Sequence, residues 1–168
     1  LIIIFSLISF VQFGQDTYDI KISKLKNITD MPYICRDTIG EVGCGQDEFW
    51  DVIKGKKEII PFLIETLDDT TKTSAYVPNF GGYWTVADIS FQAINEIIKD
   101  IPTFDLLGVA FDSEGCGYCS YWNHLRKDIN NRIAFKKNVS DWYDGIKDKL
   151  KWVKSDETLT CDCKFDHP

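Results

Sequence analysis

The sequence predicts a mostly α-helical domain built from antiparallel helix pairs, and three observations support this fold class. Apolar residues recur at helical spacing in several segments, most clearly at i, i+3, i+4 and i+7 between Ile60 and Leu67. Glycine and proline cluster between those segments and mark loops. The 168 residues, 44% of them hydrophobic and 27% charged, suffice for one domain with a single core.

The beginning of the chain has a different composition from the rest. Residues 1–10 hold eight large apolar side chains and no charge, and a short polar stretch follows. This run has the length of a signal-peptide core, and it is too short to cross a bilayer as a helix, which needs about 20 residues. We expect residues 1–15 to be a secretory signal peptide, with the given sequence starting inside it; the alternative is a buried strand or helix. Residues 16–168 then form a single helical domain that is secreted or periplasmic, with no membrane insertion after signal removal.

The first part of this domain is expected to combine a helix, a cysteine-containing loop and a helix pair. Residues 16–45 are predicted to hold an N-terminal helix followed by a loop rich in glycine and cysteine. Asp47 predicts the N-cap of the next helix, and Gly55 predicts its end. The helix after that contains Pro61, which we expect in its first turn, where the missing N–H costs nothing.

The middle of the chain is predicted to be a long loop followed by an amphipathic helix. Residues 70–84 contain a proline, a glycine pair and several threonines, which favour a loop. Thr85 and Asp88 predict a capping box at the start of the helix. Its apolar face is expected to hold Val86, Ile89, Ala93 and Ile97, widened by Ser90 and Ile94.

The C-terminal part is predicted to contain further helices and then a tail. Within residues 101–152, apolar and aromatic residues continue at helical spacing, with a break near Asn130 and with Leu150 on the last helical face. Residues 103–112 favour either a turn of helix or a lone strand. Residues 153–168 lack periodicity and form a tail that contains cysteine.

Residues 47–98 resemble HEAT-repeat sequence. The second helix reads Ile-Pro-x-Leu-Ile-x-x-Leu, the acidic pair Asp68-Asp69 follows, and the next helix reads Val-Ala-Asp-Ile-Ser-x-x-Ala-Ile. Two features depart from the family: Ala87-Asp88 replace the usual basic residue, and residues 70–84 intrude where the family has a short turn. The resemblance implies about two stacked repeats in residues 46–100, with a C-terminal helical part in residues 101–152 covering them. It also implies a binding scaffold rather than a catalyst.

All six cysteines lie after the predicted signal peptide, which favours disulfides in an exported chain. Six cysteines allow 15 pairings, and the sequence alone does not choose among them. We expect a domain stapled by disulfides, with bonds from the 116/119 pair to the 161/163 pair favoured over local rings, which are strained. The candidates are Cys35, Cys44, Cys116, Cys119, Cys161 and Cys163.

Two alternatives for the cysteines remain open. Cys116 and Cys119 have the spacing of a thiol–disulfide oxidoreductase motif, although the strands of a thioredoxin-like fold are not predicted. Cys116, Cys119, Cys161 and Cys163 also form a possible four-thiolate zinc site. Zinc is therefore the expected cofactor only under the zinc-site hypothesis. Under the favoured disulfide hypothesis we expect no cofactor and identify no catalytic residue.

The best candidate for recognition lies in the predicted loop of residues 70–84. The binding-loop candidates are Tyr76, Phe80, Tyr83 and Trp84, because aromatic side chains with polar tips often anchor interfaces. The alternative is that Phe80 and Trp84 fold back over the helix ends. A net charge of −7 disfavours nucleic acid as a partner. The sequence thus favours an exported protein-binding or scaffold protein, of which an inhibitor or immunity-type protein is a narrower version; the alternative is an enzyme.

Overall fold

The structure is a computed structural model that describes residues 17–30, 46–77, 82–110 and 117–152. This part of the chain is mostly helical, as predicted, with a small two-stranded sheet. The predicted signal peptide, the cysteine loop before Gln46 and the tail after Trp152 lie outside the described residues. The elements are α1 (17–23), α2 (Asp47–Ile53), α3 (Lys56–Glu65), β1 (Lys72–Tyr76), β2 (Tyr83–Thr85), α4 (Val86–Ile97), α5 (Thr103–Leu106), α6 (Gly117–Lys127) and α7 (Ile129–Ile146).

Helix α4 forms the centre of the described structure. The face predicted from the sequence is buried throughout, and Ala87, Asp88 and Phe91 are buried beside it. The predicted capping box is confirmed: Thr85 Oγ1 accepts a hydrogen bond from Asp88 N at 3.3 Å, and Asp88 Oδ2 accepts one from Thr85 N at 2.9 Å. Helices α2 and α3 pack against α4, so the helix is covered on most sides.

The prediction of a loop at residues 70–84 was wrong in part, because β1 and β2 form an antiparallel hairpin there. Lys72 pairs with Thr85 and Tyr76 with Tyr83, with an irregular register between them. In β1, exposed and buried side chains alternate, and Thr73 and Ala75 point inward. The proline and glycines that favoured a loop belong to the segment between the strands. The strand pattern before them, in which inward and outward residues alternate, covers only residues 72–76 and contains few apolar side chains.

The connection from α2 to α3 also differs from the expectation. Helix α2 ends at Ile53 and α3 begins at Lys56, so Pro61 lies inside α3 and not in its first turn. Gly55 occupies the connection with an ordinary φ of −68°, and the positive φ of 51° belongs to Lys56. Glycine is nevertheless required by space, because a Cβ at Gly55 would lie 2.8 Å from Ile59 Cβ. Close helix packing, rather than left-handed backbone, explains this glycine.

The C-terminal part consists of α6 and α7, which are separated by one residue. Asp128 stands between them, and its carboxylate accepts a hydrogen bond from Asn130 N at 2.9 Å, which caps α7. The predicted break near Asn130 is therefore confirmed. Helix α7 ends at Ile146 and continues as one 3₁₀ turn, so Leu150 is not on its helical face as predicted. Residues 103–106 adopt the turn of helix, α5.

A chain of aromatic rings joins the hairpin and α4 to α6 and α7. Trp84 meets Trp122 edge-on at 4.9 Å between ring centroids, and Trp122 meets Tyr121 in the same way at 5.6 Å. Tyr121 continues the chain to Phe91 and Phe135. Such ring pairs stabilise beyond the area that they bury, by about 0.5–1.5 kcal/mol each. The aromatic-rich stretch of α6 is thus part of the core. None of the helices in the described segments is long and apolar enough to cross a membrane.

Candidate functional site

The hairpin presents two tyrosines to solvent. Tyr76 is 54% exposed and Tyr83 is 50% exposed, and their rings form an edge-on pair with centroids 5.9 Å apart. The two residues are direct cross-strand partners, which is the arrangement in which aromatic side chains on a sheet reach each other. Two of the predicted binding-loop candidates therefore lie together on one exposed surface.

The other two binding-loop candidates do not share that surface. Trp84 is only 8% exposed and belongs to the core, where it packs on Trp122. This position agrees with the alternative that Trp84 folds back onto the helices. Phe80 lies outside the described residues.

Arg126 at the end of α6 extends the tyrosine surface. Its Nη2 donates a hydrogen bond to the carbonyl oxygen of Tyr83 at 3.2 Å. Its guanidinium also lies over the ring of Trp122, 4.8 Å from the centroid, as a cation–π pair. Arg126 is exposed. We call Tyr76, Tyr83 and Arg126 the hairpin patch.

Gly82 lies in the hairpin beside Arg126. It has a φ of +87°, in the region that favours glycine. A Cβ there would lie 3.4 Å from Arg126 Nη1, which is an ordinary van der Waals contact, so backbone conformation is what favours glycine at this position. The base of the hairpin is held as well, because Thr73 Oγ1 donates to Trp84 O at 3.0 Å and Ser74 N donates to Ile28 O at 3.1 Å.

A buried ion pair lies one turn beyond the hairpin and fixes α7 on α4. Arg132 Nη2 lies 2.8 Å from Asp88 Oδ1, with side chains that are 4% and 0% exposed. Oδ1 accepts no well-aligned hydrogen bond from the described residues, so the contact is a close charge pair, while Oδ2 serves the capping box. The pair neutralises Asp88 and leaves no open carboxylate at this position.

Lys136 fixes α7 to the end of α3. Its Nζ donates to Glu65 O at 2.6 Å and lies 3.0 Å from Glu65 Oε2 and 3.2 Å from Asp68 Oδ1. Partial burial acts to lower the pKa of Lys136, but the hydrogen bonds and charges of Glu65 and Asp68 outweigh it and raise that pKa. A cation at this place also suits the negative end of α3. The contact therefore ties α7 to the end of α3.

An open groove of about 600 Å³ runs between α1 and α3. Its apolar wall includes Ile22, Pro61 and Phe62, and its polar rim includes Asp19, Lys26 and Asp69. The rim mixes both signs of charge, and Asp69 Oδ1 already accepts a hydrogen bond from Thr71 N at 2.8 Å. The groove therefore favours no ligand class over another.

The structure describes little of the cysteines. Cys119 lies in the first turns of α6, but its side chain is outside the described residues, as are Cys35, Cys44, Cys116, Cys161 and Cys163 altogether. The disulfide, redox and zinc readings thus stay predictions. Within the described segments, no three His, Cys, Asp or Glu side chains are grouped so as to hold a metal ion.

Sequence reasoning missed Arg126 as part of the candidate site. Its contact with Tyr83 joins two distant segments, and no local pattern indicates it, whereas its contact with Trp122 is an i, i+4 pair within α6. Residues 70–85 and 117–127 contain no Asp or Glu, but residues 20–29 and 129–140 lack them as well, so this bias does not single out the segments that meet at the hairpin patch.

Comparison with protein-family models, with curated proteins and with solved structures finds no significant match to this chain. The described residues contain helices but no repeat solenoid, so the resemblance to HEAT repeats stays a prediction.

Proposed function

We propose that this protein is an exported protein-binding domain, of the scaffold, inhibitor or immunity type, and that it contacts its partner through the hairpin patch. The observation that carries the proposal is the exposed tyrosine pair beside Arg126. Tyrosine and arginine are among the residues that contribute most binding energy at protein interfaces, and Tyr loses little side-chain entropy on binding.

The support beneath the patch favours binding over a merely irregular surface. Arg126 is held by Tyr83 O and by the Trp122 ring, and Trp122 itself packs on buried Trp84. A contact surface that is already ordered pays less entropy when a partner binds. The base of the hairpin is tied to the rest of the domain through the hydrogen bond from Ser74 N to Ile28 O.

The predictions from the sequence are consistent with this function. An apolar beginning predicts export, and the HEAT-like segment implies a scaffold. The hairpin also falls in the segment that intrudes into the HEAT-like pattern, which is the place where an added binding element would be expected. The enzyme alternative depends on Cys116 and Cys119, whose side chains lie outside the described residues.

The test compares partner capture by matched variants. The full chain, tagged and exported in its native cells, is crosslinked and purified as wild type, as the double variant Tyr76→Ser/Tyr83→Ser and as Ile133→Ser. Ile133 is 49% exposed on α7, so its removal takes a similar apolar exposure from another element. Circular dichroism and thermal unfolding confirm that each variant is folded.

We expect wild type and Ile133→Ser to retain the same partner and the tyrosine variant to lose it. Truncation of two central interface residues typically costs about 2–4 kcal/mol of binding free energy in total. Equal capture by all three proteins would contradict the proposal. Thiol oxidoreductase activity that disappears on Cys116→Ser would support the enzyme alternative instead.

A further inference from the structure

Two short segments match the Asn-x-Ser/Thr pattern of N-linked glycosylation, which is called a sequon. They are residues 27–29 and 138–140, which read Asn-Ile-Thr and Asn-Val-Ser. Such a short pattern also arises by chance, so the local structure has to decide which match is usable. A glycan is bulky and hydrophilic, and it lies on the surface of exported proteins. The structure separates the two sequons by this requirement.

The first sequon leaves both of its polar side chains in solvent. Asn27 ends a single 3₁₀ turn, and Ile28 after it is extended, with a φ of −66° and a ψ of 130°. Side chains two residues apart lie on the same face of an extended segment. Asn27 and Thr29 are accordingly both exposed, whereas Ile28 between them is fully buried. The amide that would be modified and the hydroxyl of the sequon therefore lie on one open side.

The backbone around Asn27 is held by groups other than its amide. Ser74 N donates a hydrogen bond to Ile28 O at 3.1 Å, which ties the segment to β1. Thr29 Oγ1 donates to Gln46 Oε1 at 3.0 Å, which ties it to the start of α2. A sugar on Asn27 Nδ2 can thus extend into solvent while these bonds and the packing of Ile28 stay in place.

The second sequon is part of α7, and its asparagine is already engaged. Residues i and i+2 of an α-helix lie about 200° apart around the axis, so Asn138 and Ser140 do not face each other. Asn138 Nδ2 donates to Leu106 O at 2.9 Å. A Cβ on Gly108 would lie only 3.1 Å from the same nitrogen, so the backbone after α5 is close to it. A sugar on this nitrogen would collide with that backbone.

We infer that Asn27 accepts an N-linked glycan and that Asn138 does not. The donor is an oligosaccharide carried on a lipid pyrophosphate, and a transferase of the secretory pathway catalyses the step. Asn27 Nδ2 forms a bond to C1 of the first sugar, while the bond from C1 to the pyrophosphate oxygen breaks. The pyrophosphate leaves with the electron pair of that bond, and one amide proton passes to a base of the transferase. The inference rests on the export that is part of the proposed function and adds a modification to it.

Site-resolved mass spectrometry tests the inference on the native protein. The protein recovered from its native cells is treated with peptide N-glycosidase in heavy-oxygen water. The enzyme converts a glycosylated Asn into an Asp that carries heavy oxygen, so each sequon reports its own occupancy. In parallel, a foreign signal peptide directs the full chain into the endoplasmic reticulum of insect cells. There it is made as wild type, Asn27→Gln, Thr29→Ala, Thr29→Ser and Ser140→Ala, and circular dichroism checks the fold of each.

We expect heavy oxygen at Asn27 and none at Asn138 in the native protein. In insect cells, wild type is expected to carry one glycan, seen as one step in electrophoretic mobility that the glycosidase reverses. Asn27→Gln and Thr29→Ala each remove an essential part of the first sequon, so the step is expected to disappear. Thr29→Ser keeps the hydroxyl and Ser140→Ala changes only the second sequon, so both are expected to retain it.

An unmodified Asn27 in the native protein would overturn the inference, and so would occupancy at Asn138 equal to that at Asn27. The insect-cell protein then shows the reason. If Asn27 is modified there, the native chain does not meet such a transferase; if it is unmodified there, the segment is not an acceptor. The proposed function fails by different results, namely a native protein that keeps residues 1–15 inside the cell or a tyrosine variant that keeps the native partner.

Discussion

Helices α4 and α7 contribute to the fold in opposite ways. Helix α4 has 12 residues, and most of its side chains are buried; α7 has 18 residues, and only Arg132, Phe135 and Val139 are buried. The shorter helix is therefore the core element, and the longer one lies on the surface and is held at a few points. Length and regular helical spacing do not measure how much a helix stabilises this protein, because stability follows the area removed from water.

The largest expected loss of stability comes from breaking the buried ion pair between Asp88 on α4 and Arg132 on α7. Arg132→Met leaves Asp88 buried without its partner, which typically costs about 3–5 kcal/mol. We expect that loss in the free energy of unfolding measured with urea. Lys137→Met, on the same helix, is the matched control, because the Lys137–Asp141 pair is largely exposed and such pairs contribute about 0–1 kcal/mol.

A double variant distinguishes the contribution of the buried charges of Asp88 and Arg132 from that of their packing. In Asp88→Asn/Arg132→Met the buried charge is gone, while Asn still offers an oxygen to Thr85 N. We expect the double variant to be more stable than Arg132→Met alone. If both variants were equally unstable, the aliphatic part of Arg132 or the capping box would be the important contribution, rather than the ion pair.

The second-largest expected loss of stability comes from truncating a buried isoleucine on α4, and an exposed isoleucine on α7 provides the comparison. Ile89 on α4 is fully buried, whereas Ile133 on α7 is 49% exposed. We expect Ile89→Ala to lower the free energy of unfolding by about 2–5 kcal/mol and Ile133→Ala to change it by less than about 0.5 kcal/mol. Similar losses from the two substitutions in urea unfolding would show that α7 is more deeply packed in solution than the structure describes.

A smaller loss of stability is expected from removing the N-terminal cap of either helix. Thr85 caps α4 in a buried capping box, and Asp128 caps α7 at the surface. We expect Thr85→Ala to cost about 1–2 kcal/mol and Asp128→Ala about 0.5–1 kcal/mol, because cap substitutions cost most where water cannot replace the lost bond. Thr85→Ser keeps the hydroxyl and is the control. Thermal unfolding that ranks Asp128→Ala below Thr85→Ala in stability would contradict this reasoning.

The same contrast explains how much of the fold the sequence predicts. The buried face of α4 and its capping box follow from signals within four residues of each other, and both predictions are confirmed. The Asp88–Arg132 pair and the Arg126–Tyr83 contact join residues that are distant in the chain, and no local pattern indicates them. Asp88 was predicted only as a cap, although it also carries the buried ion pair.

The hairpin shows a second reason for missed predictions. Residues 72–76 have a short alternating pattern of small and polar side chains, and the glycines and proline after them are equally typical of a loop. Strand pairing depends on a partner across the turn, so the local pattern underestimates it. For the candidate site, residue type pointed to Tyr76 and Tyr83, but only packing distinguishes them from Trp84, which is buried.

The smallest expected effect is a gain in stability instead of a loss, and it concerns the carboxylate of Glu96 on α4. Burial raises the pKa of Glu96, and the hydrogen bond from Gln92 only partly offsets it. The folded state therefore binds this proton more tightly than the unfolded state, so Glu96 lowers stability as the pH rises from its unfolded pKa through its folded pKa. Glu96→Gln removes the ionisation and keeps an oxygen for Gln92. We expect this variant to be more stable than wild type at pH 7 and to differ less from it at pH 4, as measured by urea unfolding at both pH values.

Asp141→Asn provides the comparison on α7: its carboxylate is exposed and pairs with Lys137, so its loss is expected to leave stability unchanged or slightly lower. A Glu96→Gln protein that is less stable than wild type at pH 7 would mean that Glu96 is better solvated than its position on the buried helix implies.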